Sequence, residues 1–114
     1  MAKYQRTIHG HSLLEVRAII EHEIIHGSVS ASLEDASDFE ENGSTCSVRV
    51  FERYSWLGGN RVSLSVTLFQ AAGSGDVHLS AIASGGSQAV FFKINTFGEE
   101  AFLDKLKEAV GRLA

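Results

Sequence analysis

Residues 46–95 read CSVRVFERYSWLGGNRVSLSVTLFQAAGSGDVHLSAIASGGSQAVFFKIN, and this stretch decides the fold. Apolar and polar residues alternate in it with a period of two, the pattern of strands that bury one face. A strand over residues 45–56 is expected to point Cys46, Val48 and Val50 inward, with Ser47, Arg49, Phe51 and Arg53 on the other side. Leu57-Gly58-Gly59-Asn60 makes a turn, and residues 61–69 follow with Val62, Leu64, Val66 and Leu68 inward. After Gly73-Ser74-Gly75-Asp76, the residues Val77, Leu79, Ala81 and Ala83 form the next inward set. Gly85-Gly86-Ser87 turns the chain into a last strand over residues 88–95. Short connections between consecutive strands imply antiparallel pairing.

On the N-terminal side, residues 3–9 alternate weakly and read as a short first strand. Ser12-Leu13-Leu14-Glu15 has the form of a capping box, a hydroxyl with a carboxylate three residues later. Leu13, Val16, Ile20 and Ile24 then recur at helical spacing, widened by Leu14 and Ile25, and predict a helix over residues 12–26 that Gly27 closes. Residues 28–33 alternate as a strand. Residues 34–44 hold five acids (Glu34, Asp35, Asp38, Glu40, Glu41) and no base, and read as a solvated loop; the ligand spacing of a calcium loop is absent.

Beyond the sheet, Thr96-Phe97-Gly98-Glu99 is a second capping-box pattern, and Phe102, Leu106, Ala109 and Leu113 make a second helical stripe. Glu99 and Glu100 precede Lys105, Lys107 and Arg112, the order that complements a helix dipole. The predicted order is one strand, a helix, five strands and a helix. With two amphipathic helices covering one face of an antiparallel sheet, the fold class is α+β in a single domain, residues 1–114.

Bulk properties narrow the function. At 114 residues the chain buries roughly 65% of its unfolded surface on folding, enough for one core without disulfides or metal. No apolar run approaches the ~18 residues of a membrane span, and no apolar block of a secretory signal opens the chain. A net charge of −4 with ten scattered bases argues against nucleic acid as a partner. The single cysteine, Cys46, has no partner for an intrachain disulfide, which fits a reducing cytoplasm.

One string carries enzyme-like chemistry. His22-Glu23-Ile24-Ile25-His26 matches the HExxH pattern in which two histidines hold zinc and the glutamate is the base. At about 100° per residue, however, His22 and His26 lie opposite the stripe of Leu13, Ile20 and Ile24 and face water. The only downstream histidine, His78, falls on the sheet face away from the helices, which leaves a carboxylate as the third ligand, so His22 and His26 stay weak metal candidates, and no cofactor is expected. His9-Gly10-His11 reads as a turn. Gly85-Gly86-Ser87-Gln88 lies between predicted strands, so no helix N-terminus follows it to hold a phosphate.

The predicted outer face carries two arginines and three large apolar residues, Arg49, Phe51, Arg53, Phe69 and Ile82. If they cluster, they form a patch of the kind that marks a contact site. Glu52 breaks the inward alternation just before Tyr54 and Trp56. These three, with Phe92 and Phe102, are the candidate lining of a cavity between the sheet and the C-terminal helix.

Residues 85–100 (GGSQAVFFKINTFGEE), with Ser30-Ala31-Ser32-Leu33-Glu34-Asp35, Glu52-Arg53-Tyr54-Ser55 and Gly58-Gly59-Asn60-Arg61-Val62-Ser63, resemble a family of small bacterial proteins classed as a domain of unknown function. The resemblance covers nearly the whole chain and implies no activity, cofactor or site residue. The element order is also similar to the TATA-binding-protein-like (TBP-like) and helix-grip folds, which implies a curved sheet around a long C-terminal helix. The expectation is a cytoplasmic, non-enzymatic interaction module, a homodimer through its sheet. The alternative is a carrier of a small hydrophobic ligand held between sheet and helix. A zinc enzyme is a distant third.

Overall fold

The computed structural model describes residues 1–28, 30–54, 61–85 and 92–113, and for residues 92–100 the backbone alone. The elements run β1 (Ala2–His9), α1 (Leu13–His26), β2 (Ser32–Glu41), β3 (Ser44–Tyr54), β4 (Arg61–Gln70), β5 (Asp76–Gly85) and α2 (Phe92–Gly111). The strands form one antiparallel sheet of five, in the order β1-β5-β4-β3-β2. β2 to β5 are a meander, and β1 pairs with the far side of β5, which leaves β4 in the middle and β1 and β2 at the edges.

The start of α1 is set by its own sequence. Ser12 Oγ accepts from the Glu15 amide at 3.2 Å, while the Ser12 amide donates to Glu15 Oε1 at 2.9 Å, so two orphan donors are satisfied reciprocally. That bonding to Ser12 holds the Glu15 carboxyl below its ordinary value. Leu13, Val16, Ile20 and Ile24 are the buried face, as the spacing predicts. Gly27 ends the helix in right-handed geometry (φ −86°, ψ −5°), and its amide donates to Glu23 O at 2.8 Å.

Both helices pack on the same face of the sheet, α1 over β2, β3 and β4, and α2 over β1, β4 and β5. Val62, Leu64, Val66 and Leu68 of β4, with Val77, Leu79, Ala81 and Ala83 of β5, point beneath them, as predicted. Phe102, Leu103, Leu106 and Val110 of α2 close the core from above. The chain is α+β with helices on one side of an antiparallel sheet.

Three expectations are corrected. First, residues 34–41 are not a loop: they form most of β2, paired with β3 from Ser32↔Glu52 to Glu41↔Ser44 with a bulge between Leu33 and Asp35. Asn42 and Gly43 make the two-residue hairpin turn at positive φ (51° and 87°), the conformation for which an Asn-Gly pair is favoured. The acids mark an edge strand: charge on an edge discourages pairing with other chains.

Second, the phase of β3 is inverted. Phe51 pairs with Leu64, Arg49 with Val66 and Ser47 with Leu68, so Ser47, Arg49 and Phe51 lie beneath the helices. Directly paired residues share a face, and β4 imposes its buried face on β3. Third, Phe92 to Asn95 are not strand but the first turn of α2, so the sheet has five strands, not six, among the described residues. Residues 86–91 of the predicted last strand lie outside the described residues. The Thr96–Glu99 pattern falls inside α2 rather than at its start.

Candidate functional site: the sheet face away from the helices

The face away from the helices is built from strand parity. β4 turns Ser63, Ser65, Thr67 and Phe69 outward because Val62, Leu64, Val66 and Leu68 are buried. Register then places three rows across all five strands. One runs Phe39, Cys46, Phe69, His78, Thr7. The next is Ser37, Val48, Thr67, Ser80, Gln5, and the third is Asp35, Val50, Ser65, Ile82, Lys3.

Phe39 is 64% exposed, Phe69 42% and Ile82 39%, although all three stand in regular strands. Phe69 stacks against His78, with ring centroids 6.4 Å apart, and His78 Nδ1 lies 3.1 Å from Thr7 Oγ1. At the end of the face Arg61 sits 3.0 Å from Glu52 and 5.7 Å over the Tyr54 ring, and Ser63 donates to Glu52 at 3.3 Å. On the β1 side His9 Nδ1 lies 2.6 Å from Asp76 Oδ1.

Of the residues expected on this face, Phe69 and Ile82 are on it. Phe51 is 0% exposed and belongs to the core, Arg49 is 7% exposed, and Arg53 points to the helices, its guanidinium 4.6 Å over the Phe102 ring. Burial pulls the Arg53 guanidinium below its ordinary value. Of the candidate cavity residues that are described with side chains, Glu52 and Tyr54 are on the open face, while Phe102 is buried under the sheet's other side. Trp56 lies outside the described residues, and Phe92 begins α2.

A polar cluster that the sequence reading misses occupies the covered side. Arg49 donates to both carboxylate oxygens of Asp38 at 3.1 Å and, through Nε, to Glu21 Oε2 at 2.7 Å. Ser47 Oγ donates to Asp38 at 2.5 Å, and Arg17 Nη1 to Asp38 at 2.9 Å. The Arg49 bonds, then that of Ser47, hold the Asp38 carboxyl down at about 2. Burial opposes the charge on Arg49, but the bonds to Asp38 and Glu21 outweigh it and raise the guanidinium. This cluster ties edge strand β2 to α1 and β3. Treating Asp38 as a loop residue hides it, since only strand pairing brings Asp38 beside Ser47.

Beside the cluster, a cleft of about 490 Å³ opens between the first turn of α1 and the ends of β2, β3 and β4. Part of its polar lining is already engaged: Arg17 with Asp38 and Ser47, and Gln70 with the Leu13 amide at 3.0 Å and Ser74 O at 3.0 Å. His22 and His26 stack on the exposed side of α1, 4.2 Å between centroids, and His26 Nδ1 lies 2.9 Å from His22 O. Among the described residues no three His, Cys, Asp or Glu side chains are grouped to hold a metal ion. His9-Gly10-His11 is a turn, with Gly10 at φ 79° and His11 Nε2 3.0 Å from Leu113 O.

Fold and site together define a two-layer α+β domain in which, among the described residues, the helices cover one face of the sheet and leave the other bare. The chain belongs to DUF6054, a family of unknown function whose model matches residues 1–114. No curated protein matches it. Among the described residues, no helix is long and apolar enough to cross a membrane.

Proposed function

We propose that the protein is a non-enzymatic interaction module that self-associates through the uncovered face of its sheet. One observation carries the reading. Both helices are on one side, so Phe39, Phe69 and Ile82 stand exposed on the other, with Val48 and Val50 half-buried between them. Apolar side chains gathered on one face mark contact surfaces more than scattered ones do. The size is adequate: five strands about 4.8 Å apart and about eight residues long span roughly 600 Å², close to the ~800 Å² per partner of a standard interface. The edges fit self-pairing less well, because two β2 strands side by side would align five acids against five. A lone, half-buried Cys46 accords with a reducing compartment.

The test is mass in solution by light scattering after gel filtration. Wild type is expected at twice the 12.3 kDa chain mass. Phe39→Glu with Phe69→Glu is expected to return it to monomer while the circular dichroism spectrum is kept. A monomeric wild type at millimolar concentration, or a double variant that stays dimeric, overturns the reading.

A further inference from the structure

We propose that the second copy sits on this face about a two-fold axis parallel to β4, and that Lys3 and Asp35 form the pair that sets this orientation. The proposal rests on the face being the self-contact surface. The row Asp35, Val50, Ser65, Ile82, Lys3 crosses the whole sheet, with an acid at the β2 edge and a base at the β1 edge. β4 is the third of five strands and is the sheet's midline.

Two face-to-face two-fold arrangements keep the strands of the two sheets aligned, and in either an isologous interface returns each contact to its counterpart. With the axis along β4 the two edges exchange. Lys3 comes over Asp35 of the second copy, Ile82 over its Val50 and Phe69 over its own counterpart. At the far end of the face, His9 comes over the Glu41 flank. With the axis across the strands, β1 covers β1 and β2 covers β2: Lys3 comes over His9, which Asp76 already engages, and Asp35 comes over Glu41, acid against acid. Sheets stack about 10 Å apart, within reach of a lysine and an aspartate facing one another. Like charges juxtaposed at an interface penalise the wrong partner.

Neighbouring charges do not cancel this polarity. Glu52 is engaged by Arg61 at 3.0 Å and Asp76 by His9 at 2.6 Å, both within one chain. Asp35 accepts from the Ala36 amide at 2.8 Å, a bond that leaves its charge in place. Both Lys3 and Asp35 are exposed, so their substitution leaves the core alone.

The experiment is a charge exchange read by native mass spectrometry and by sedimentation. Lys3→Glu alone sets an acid against Asp35 of the other copy, twice per dimer, and is expected to weaken self-association about ten-fold or more; Asp35→Lys does the same with two bases. Mixed in equal amounts, the two variants restore opposite charges at the contact, and the heterodimer is expected to exceed its statistical share of one half. Raising the salt from about 50 mM to about 500 mM is expected to weaken the wild-type dimer several-fold, a measurement that needs no variant. Statistical mixing with unchanged dissociation constants, or a salt-insensitive wild type, overturns the orientation. If Phe39→Glu with Phe69→Glu still gives monomer in that case, the face reading stands and only the orientation fails. A wild type that never dimerises overturns both.

Discussion

Arg49 and Asp38 face each other in a bidentate pair, with Nη1 to Oδ1 and Nη2 to Oδ2 both at 3.1 Å, on the covered side of the sheet. The pair crosses from a central strand to an edge strand whose side chains are otherwise exposed. Parallel hydrogen bonds between two charged, planar groups are stronger and more directional than neutral ones. The pair therefore does for β2 what a hydrophobic face does for the inner strands.

The pair makes stability depend on pH in a defined window. Asp38 is held from its ordinary 3.8 down to about 2, so the folded state favours the ionised carboxylate. A depressed carboxylate adds stability that is complete above the unfolded value and is lost as pH falls through the folded one. The contribution is thus expected to be intact at pH 7 and to disappear between about pH 4 and about pH 2. Thermal melts of wild type and Asp38→Asn over this range check it. The variant should melt lower at pH 7, and the gap should close at the acid end.

Arg49→Met tests the other partner. The variant keeps the length of the buried stem but leaves Asp38 and Glu21 without their main donor. Both carboxylates are reached by water, so neither is left as a buried orphan, and the cost is expected at about 1–2 kcal/mol in urea denaturation. A loss below ~0.5 kcal/mol would show that the pair does not hold β2.

Phe51 and Phe69 separate the two faces of the sheet. Phe51→Ala opens a cavity in the core and is expected to cost about 3–5 kcal/mol. Phe69→Ala removes a side chain that is already 42% exposed and is expected to cost less than ~1 kcal/mol of folding stability while weakening self-association. Denaturant melts read the first effect and sedimentation the second.

Gly27 is required by space rather than by a left-handed conformation. A Cβ there would lie 2.5 Å from Glu23 O, so the end of α1 must shift to accept it. Gly27→Ala is expected to destabilise by about 1–3 kcal/mol in urea denaturation, the range for overpacking. Gly10→Ala meets no neighbouring atom within 4 Å but imposes a positive φ on a side chain, and is expected to cost about 1–2 kcal/mol.

The stacked imidazoles of His22 and His26 lie on an exposed helix face. Replacing both with alanine is expected to move stability by no more than ~0.5 kcal/mol at pH 7. Thermal melts with and without EDTA should coincide for wild type and variant alike.

Much of this architecture is legible before any tertiary structure. The Ser12–Glu15 box, the stripe from Leu13 to Ile24 and the inward residues of β4 and β5 are all local or strictly periodic signals. The errors share one physical cause, which is that strand phase and strand existence depend on neighbours. Residues 34–41 carry so many acids that they read as loop, yet an edge strand tolerates them because one side of it faces water. Ser47 and Arg49 look like surface residues, yet bonds to Asp38, Glu21 and Arg17 offset the cost of burying them. The exposed Phe39 is hidden by the same misreading of β2, although Asn42-Gly43 is a hairpin signal that marks its end.

Local sequence alone settled what α1 buries, where α1 begins, and which residues of β4 and β5 face the core, because those depend on periodicity and on bonds within one turn. Tertiary structure decided the phase of β3, the membership of β2 in the sheet, and the rows that place Asp35 and Lys3 at opposite edges of one face. Those depend on register between strands far apart in the chain, and a slip of one residue sends every side chain to the other face.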